Sequence, residues 1–584
     1  MSNTESNMTT VEWKDIPWRK IERIVFKLQK RIFQASQRGD VQAVRRLQKT
    51  LINSWSAKVL AVRRVTQDNQ GKKTAGVDGV KSLTPKQRME LVNRLRLNRK
   101  AKPTRRVWIP KPGREEKRPL GIPTMHDRAT QALVKAALEP EWEAKFEPNS
   151  YGFRPGRSCH DAIGAIFNAI RYKPKYVLDA DIAQCFDQIN HDKLLSKLNT
   201  SPTIKRQIKA WLKAGVIDWS NNANRQKGYN PTSEGTPQGG VISPLLANIA
   251  LHGMENRVKQ YATTLPCRPG YGKKVNSMSL SLIRYADDFV ILHEDLAVVQ
   301  KCQQIIADWL SDIGLELKSS KTRISHTLTE HSGNVGFDFL GFSVRQFPVG
   351  KYQTGKSTNK EPLGFKTIIT PSKKSVKAHC EKIATIIKEH KAAPQAALIS
   401  RLNPVIRGWC NYFSTVASQE TFDKLNHITF KQLWAWAKRR CKKDSNARKY
   451  WREIEGRKWT FAAPDGLKLA EHPDTQITRH TKVNGNQSPY DGDWVYWSQR
   501  LRNYPETPKT LSELLKKQKG KCSHCGLYFT SDSLLEIHHQ DKNRKNNKRT
   551  NLIVIHRHCH DILHAMWEPK EWEIRSDDSY QPIP

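Results

Sequence analysis

The sequence predicts an α+β multidomain fold, and three features point to it. Short apolar runs bounded by Pro, Gly and polar turns lie between residues 105 and 344. Helical periodicity dominates from 371 onward, and the last segment, from about 518, is rich in Cys and His. A chain of 584 residues has room for three to five domains, at roughly 100–200 residues each.

Residues 1–10 are polar, a composition that predicts disorder. Within 14–66, Ile21, Ile24, Val25, Leu28 and Ile32 share one helical face and Arg and Lys fill the rest. That pattern suits a packed amphipathic hairpin, a basic arm on RNA, or both. TAGVDGV (74–80) reads as a Gly-punctuated loop, and RRVWIPKPGREEKRPLGIP (105–123) as a β-hairpin with a cationic surface. A helix is expected over 127–146 and a buried strand leading into a turn in KYVLDADIAQCF (175–186). SLSLIRYADDFVILHE (279–294) reads as two strands joined by a polar turn at Ala286-Asp287-Asp288. A helix over 296–313 and a strand in GFDFLGFSV (336–344) follow.

After 371, PSKKSVKAHCEKIATIIKEHK, LISRLNPVIRGWCNYF and FDKLNHITFKQLWAWAKRRCKK carry helical periodicity with cations on their polar faces. Arg401, Arg407, Lys431, Lys438, Arg439 and Arg440 are available for phosphates. Trp409, Tyr412, Trp434 and Trp436 suit a core better than a base-stacking platform. NGNQSPYDGDWVYWSQRL (484–501) is loop-rich.

Lys and Arg number 99 against 56 Asp and Glu, a net charge of +43. Such an excess repels itself unless a polyanion is near, so nucleic acid is the expected partner, RNA and DNA being equal on this ground. The ten Cys are scattered apart from CSHC, which suits a reducing compartment and one metal site rather than a disulfide scaffold. The N-terminus lacks an apolar signal-peptide region, and no run of about 18 apolar residues occurs. A protein of the cell interior, not secreted and without a membrane partner, is expected.

Nucleotide transfer needs hard cations held by carboxylates at strand ends. Asp181 ends one apolar strand, and Asp287 and Asp288 stand side by side between two others. Adjacent like charges cost energy unless a cation separates them, although an acidic turn alone is more often simply solvated. At the other end of the chain, Cys522-x-x-Cys525 is echoed by His556 and Cys559 at the same spacing. Together they fit a tetrahedral Zn²⁺ site, with His558 able to replace His556. By themselves these four suit a purely structural zinc finger.

The ordered blocks RVWIPKPGREEKRPLGIPTMHDRATQ, NSYGFRPGRSCHDAI, VLDADIAQCFDQINHDKL, EGTPQGGVISPLLANI, YADDFVIL, LELKSSKTRI and FDFLGF carry a resemblance. Over roughly residues 60–370 the chain resembles the reverse transcriptases encoded by group II introns. The resemblance implies a right-hand polymerase whose fingers and palm frame a β-hairpin active site. In it Asp181 and Asp287 bridge two Mg²⁺ ions and Asp288 supports them. It implies that Phe186 selects deoxynucleotides, unless it is only a core aromatic, and that Pro237, Gln238, Gly239 and Gly240 pack under template and incoming base. Lys321 would lie near the triphosphate, a plain surface lysine being the alternative. Lys111, Arg114, Lys117 and Arg118, with Arg154 and Arg157, would neutralise phosphate charge. Ala286 before Asp287 fits the intron branch better than the retroviral one.

Residues 371–480 resemble the thumb, or maturase, domain of the same family, carried by RLNPVIRGWCNYF and FDKLNHITFKQLWAWAKRRCKK. LEIHHQDKNRKNNKRTNLIVIHRHCH resembles the HNH nuclease pattern, a small ββα-metal zinc domain. By that resemblance His539 is the general base, His538 and His560 hold a catalytic divalent metal, and Asn551 orients the base region. The implied organisation is a basic helical extension (1–60), reverse transcriptase fingers and palm (61–370) and the maturase thumb (371–480). A DNA-binding linker (481–517) and the HNH zinc domain (518–584) complete it. The implied function is a mobile group II intron protein, its partners the intron RNA, a double-stranded DNA target and dNTPs. It would aid splicing, nick the second DNA strand and copy the intron by target-primed reverse transcription. A splicing chaperone with relic enzyme sites is the alternative, and the intact Asp181, Asp287, Asp288, His539 and Asn551 argue against it.

Overall fold

The computed structural model describes residues 12–98, 100–110, 117–219, 228–267, 270, 272–441, 444–530 and 533–567. Residues 1–10, Lys111 and Arg114 lie outside them. The amphipathic stretch at the start folds into three helices, α1 (Trp18–Gln37), α2 (Val41–Asn53) and α3 (Trp55–Arg63). Ile21, Val25 and Ile32 are buried, while Ile24, expected on the same face, is left 37% exposed at its edge. The helix α3 runs through residue 60. A fourth helix, α4 (Pro85–Arg94), starts at a capping box in which Thr84 and Gln87 satisfy each other's backbone N–H groups.

The expected hairpin forms from β1 (Thr104–Pro110) and β2 (Lys117–Ile122), and α5 (Met125–Glu143) and α6 (Cys159–Ile170) follow. The strand β3 (Tyr176–Asp181) is apolar and mostly buried. Two short strands, β4 (Val216–Ile217) and β5 (Tyr229–Asn230), extend the hairpin into a sheet of order β2-β1-β4-β5. β6 (Ser281–Tyr285), β7 (Asp288–His293) and β8 (Arg323–His326) join β3 in a second sheet of order β6-β7-β3-β8. Asp288 is already the first residue of β7, so the turn is Ala286-Asp287 and shorter than expected.

The single strand expected over 336–344 is instead a hairpin. Leu340 (φ +50°) and Gly341 (φ +83°) turn the chain between β9 (Phe337–Phe339) and β10 (Phe342–Pro348), and β11 (Phe365–Pro371) completes a third sheet. The helices Lys373–Glu389, Gln395–Phe413 and Gln419–Lys438 then appear as their periodicity requires. A hairpin of β12 (Trp451–Ile454) and β13 (Arg457–Phe461) follows, and its Trp451 and Phe461 rings pack edge to face, 5.1 Å apart. The stretch expected to be loop-rich contains a helix, Trp494–Arg502. The C-terminal unit pairs β14 (Leu535–His539) with β15 (Leu552–His556) and ends in the helix Arg557–Trp567.

Three apolar cores organise these elements. The first joins α1–α5 to one face of the β3 sheet. The second fills the opposite face of that sheet and runs through the helices after 371 to Trp497. The third, smaller, lies between the helix Lys509–Lys517 and the C-terminal strands. Among the described residues, no helix is long and apolar enough to cross a membrane.

Candidate functional site

Antiparallel pairing of β3 with β7 sets Asp181 directly opposite Asp288. Asp287 stands in the adjoining turn, where its carbonyl accepts the Ile182 N–H at 3.4 Å. Ala286 holds φ +57°, a left-handed conformation that costs a non-glycine residue free energy unless its surroundings fix it. Arg284, 1% exposed, does the fixing. Its guanidinium donates to Ala286 O at 2.9 Å, Asn248 Oδ1 at 3.1 Å and Ser150 Oγ at 2.7 Å. Burial holds this guanidinium down to about 10. Asn248 in turn donates to Gly152 O at 2.8 Å. A side chain at Gly152 would overlap the backbone of Ala286, so glycine is required there by close approach. The NSYG block therefore buttresses the acidic turn.

Electrostatics at this turn favour a cation. Burial, then the charges of Asp287 and Asp181, push Asp288 up to about 7. Asp287 is raised by burial above all, with Asp181 adding to it, while Lys321 and Arg118 oppose the shift. Lys321 Nζ is ion-paired with Asp181 Oδ2. Arg118 and Lys117 stand exposed on β2. Carboxylates that raise one another's pKa in a partly buried site are relieved by a metal ion, which also restores their ionised forms.

The loop 235–241 bridges β2 and the short helix Cys185–Gln188 that follows β3. Thr236 N–H donates to Phe186 O at 2.6 Å, and Gln238 O accepts from Gly121 N–H on β2. Gln238 Nε2 reaches Asp187 Oδ2 at 3.3 Å. Gly239, at φ +105°, lies so close to the β2 backbone that a Cβ would come within 2.9 Å of Gly121 O. Phe186 is half-buried and meets the exposed Phe153 ring edge to face at 5.9 Å.

Arg154 and Arg157 correct the expectation of phosphate contacts. Both are buried. Arg154 forms a two-pronged ion pair with Glu143, each bond 2.9 Å, and also donates to Glu147 O and Ser150 O. Arg157 donates to the carbonyls of Pro148 and Gly485. Every donor of this kind spent on the fold is unavailable to a ligand. Arg154→Met is expected to destabilise the chain by about 3–5 kcal/mol, because Glu143 is left buried without its partner. Denaturant unfolding checks it; a change below about 1 kcal/mol would remove the pair from the account of stability.

In the helices after 371, Arg401, Arg407, Lys431, Lys438 and Arg439 are exposed, whereas Arg440 donates to Lys391 O and Ala393 O. Trp436 is buried in the second core, with Trp409, Tyr412 and Trp434 packed against it. The segment 481–517 docks on the body of the chain. Arg500 of this segment and His480 just before it close on the buried Asp161 carboxylate, at 2.6 and 2.9 Å. Those two groups and the Val483 N–H hold Asp161 well below the usual carboxylate range despite its burial.

The C-terminal unit gathers two further groups. Cys522, Cys525, His556 and Cys559 are all buried with their ligand atoms within 4.8 Å of one another. His558 turns away from them, its Nδ1 3.5 Å from Glu22 Oε1, so His556 is the imidazole in the cluster. His538, His560 and His564 form the second group. His564 escaped the reading of the sequence, although its i, i+4 spacing from His560 on one helix was the available signal. Burial, then the neighbouring imidazoles, lowers His560 to about 4, so the ring is neutral, and its Nε2 stands 3.1 Å from His564 Nε2. Among the described residues these two groups close to mutual ligand distance; the three aspartates do not close as a trio. His539 leaves the same strand on the other side, with Nε2 3.2 Å from Asn547 Oδ1. Asn551 ties the intervening loop together, accepting from Asp541 N–H and donating to Asp541 Oδ1 and Asn546 O.

Comparison with known proteins agrees with this architecture. The reverse transcriptase (RNA-dependent DNA polymerase) family matches residues 109–344, the N-terminal domain of reverse transcriptase residues 13–95, and the group II intron maturase-specific domain residues 376–453. The group II intron-encoded protein LtrA of Lactococcus lactis subsp. cremoris is 27% identical over 556 residues, covering 79% of this chain and 86% of that protein. Protein YkfC of Escherichia coli is 31% identical over 312 residues, 48% of this chain and 77% of that protein. Maturase-like protein 1 of Euglena gracilis is 29% identical over 413 residues, 68% and 77% respectively. With the acidic strand pair, the helices that follow it and these relatives together, the chain belongs to the group II intron-encoded reverse transcriptase/maturase family.

Proposed function

We propose that the chain copies intron RNA into DNA at Asp181, Asp287 and Asp288, grips that RNA with its fingers, palm and maturase thumb, and nicks DNA with its C-terminal unit. The observation that carries the polymerase reading is the register of Asp181 against Asp288, with Asp287 locked in the turn beside them. Hard oxygen donors and raised pKa values fit Mg²⁺. When bound, a pair of such ions activates the primer 3′-hydroxyl and screens the leaving pyrophosphate. The protein's own part is positioning. Arg284 and Gly152 fix the turn, Gln238 and Gly239 present backbone beneath template and incoming base, and Phe186 excludes a 2′-hydroxyl. Lys321 and Arg118, close enough to bias the aspartates, neutralise the triphosphate; Lys111 lies outside the described residues.

The donor set of Cys522, Cys525, His556 and Cys559 fits structural Zn²⁺, since three sulfurs and one imidazole suit tetrahedral zinc over magnesium. His538, His560 and His564 fit a separate divalent ion, which when bound supplies charge stabilisation to the cleaved phosphate. His539 takes the proton from the attacking water, and Asn551 holds the loop that orients it. The domain limits proposed are 61–370 for fingers and palm, 371–480 for the thumb, 481–517 for a DNA-contacting segment and 518–584 for the nuclease. In this reading the intron RNA is spliced with the protein's help and inserts into one DNA strand. The nuclease cuts the other strand, and its new 3′ end primes synthesis. The test is primer extension by the full chain on an RNA template with Mg²⁺ and dNTPs. Extension that chelator abolishes is expected. RNA binding without any extension would leave a splicing chaperone instead.

A further inference from the structure

We propose that a cationic cleft between α1 and the C-terminal unit holds the DNA strand which that unit cuts, so that the N-terminal helix is part of the nuclease substrate site. The proposal rests on the nuclease reading above. The cleft has a volume of about 1260 Å³ and is walled by α1, the segment around Trp494 and the zinc-side loops of the C-terminal unit. Along α1, Arg19, Arg23, Lys27 and Lys30 line it at i, i+4, i+8 and i+11, a single row on the helix surface. Arg19, Arg23 and Lys27 are exposed. At 1.5 Å per residue the row extends about 16 Å, which spans roughly five phosphates of one strand.

The facing wall also carries cations. Lys521 is exposed and lies 4.8 Å over the Tyr528 ring, and Arg557, half-buried at the start of the helix Arg557–Trp567, faces Glu536 at 3.9 Å. Two carboxylates line the cleft, and each already faces a partner: Glu22 is 3.5 Å from His558 Nδ1, and Asp68 is 3.4 Å from Arg63 Nε. The floor is apolar, with the Phe26 and Trp494 rings 4.1 Å apart. Cationic walls over an apolar floor suit the sugar–phosphate backbone of a duplex, whose phosphates the cations neutralise. Arg557, on the cleft wall, precedes His560 of the His538–His560–His564 group by three residues on one helix, about one turn or some 5 Å along the axis. That continuity favours the DNA to be cut over structured RNA as the occupant.

The experiment uses full-length protein and a short fluorescein-labelled DNA duplex, read by anisotropy without Mg²⁺ across a salt series. R19E/R23E/K27E is expected to weaken duplex binding at least about tenfold and to lower the salt slope by about 3. K521E, on the opposite wall, is expected to weaken it by a smaller factor. The neutral R19Q/R23Q/K27Q variant, with an unchanged thermal midpoint, keeps the test valid if the reversed charges disturb folding, and should fall between the two. Unchanged duplex affinity, or loss of affinity for an RNA hairpin with DNA binding intact, would overturn the proposal. Nicking of supercoiled plasmid with Mg²⁺ separates the two readings. If the wild type never nicks yet the variants lose duplex affinity, the nuclease reading falls and the cleft stands. If all forms nick and bind alike, the cleft falls and the nuclease stands.

Discussion

Asp287→Asn is expected to lower the rate of primer extension on an RNA template by about a thousandfold or more, with binding of that template unchanged. The substitution keeps size and shape but removes the charge that a pair of hard cations requires. A thousandfold loss corresponds to about 4 kcal/mol of transition-state stabilisation, within what a metal-held charge supplies. Asp287 sits in a turn already fixed by Arg284 and Gly152, so an amide there leaves the backbone in place. Template binding should persist because exposed cations elsewhere, among them Arg401, Arg407 and Lys431, remain to neutralise phosphates. Single-turnover extension kinetics, paired with a filter-binding assay, separate the two effects. Extension within about tenfold of wild type would show that Asp287 does not carry the reaction.

His539→Ala is expected to cut nicking of duplex DNA by about 10²–10⁴-fold and to leave primer extension as it was. His539 is half-buried at the end of β14 and hydrogen-bonded to Asn547, outside the zinc cluster and outside the His538–His560–His564 group. Its loss therefore removes a proton acceptor without unmaking either candidate metal site. Plasmid nicking and primer extension run on the same preparation provide the check. Undiminished nicking would transfer the proton to another group, and a parallel loss of extension would point to unfolding rather than chemistry.

Much of this architecture was legible because it is local. Alternation and turn chemistry mark the 105–123 hairpin, and an acidic pair between two apolar strands marks the acidic turn. Helical period alone marks the three helices after 371. What stayed hidden depends on distant partners. Arg284 reads as one more cation in a basic chain, and only the approach of Ser150, Gly152 and Asn248 makes it a buried clamp. Arg154 and Arg157 sit in a glycine-rich block that looks poised for phosphate, yet Glu143 and main-chain carbonyls consume their donors. The split of 336–344 into two strands turns on positive φ at Leu340, a residue with no intrinsic preference for it. Residues 484–501 look irregular because their order comes from Asp161, more than 300 residues away. His564 was spaced to be seen, but two neighbouring histidines already accounted for the motif.

Anomalous diffraction is the most direct test of the central claim. Crystals of the protein with primer, RNA template and incoming nucleotide, grown in Mn²⁺, should give two peaks flanked by the carboxylates of Asp181 and Asp287, with Asp288 beside them. A bound nucleotide with no metal at these three side chains, whatever the two C-terminal metal groups hold, would contradict it.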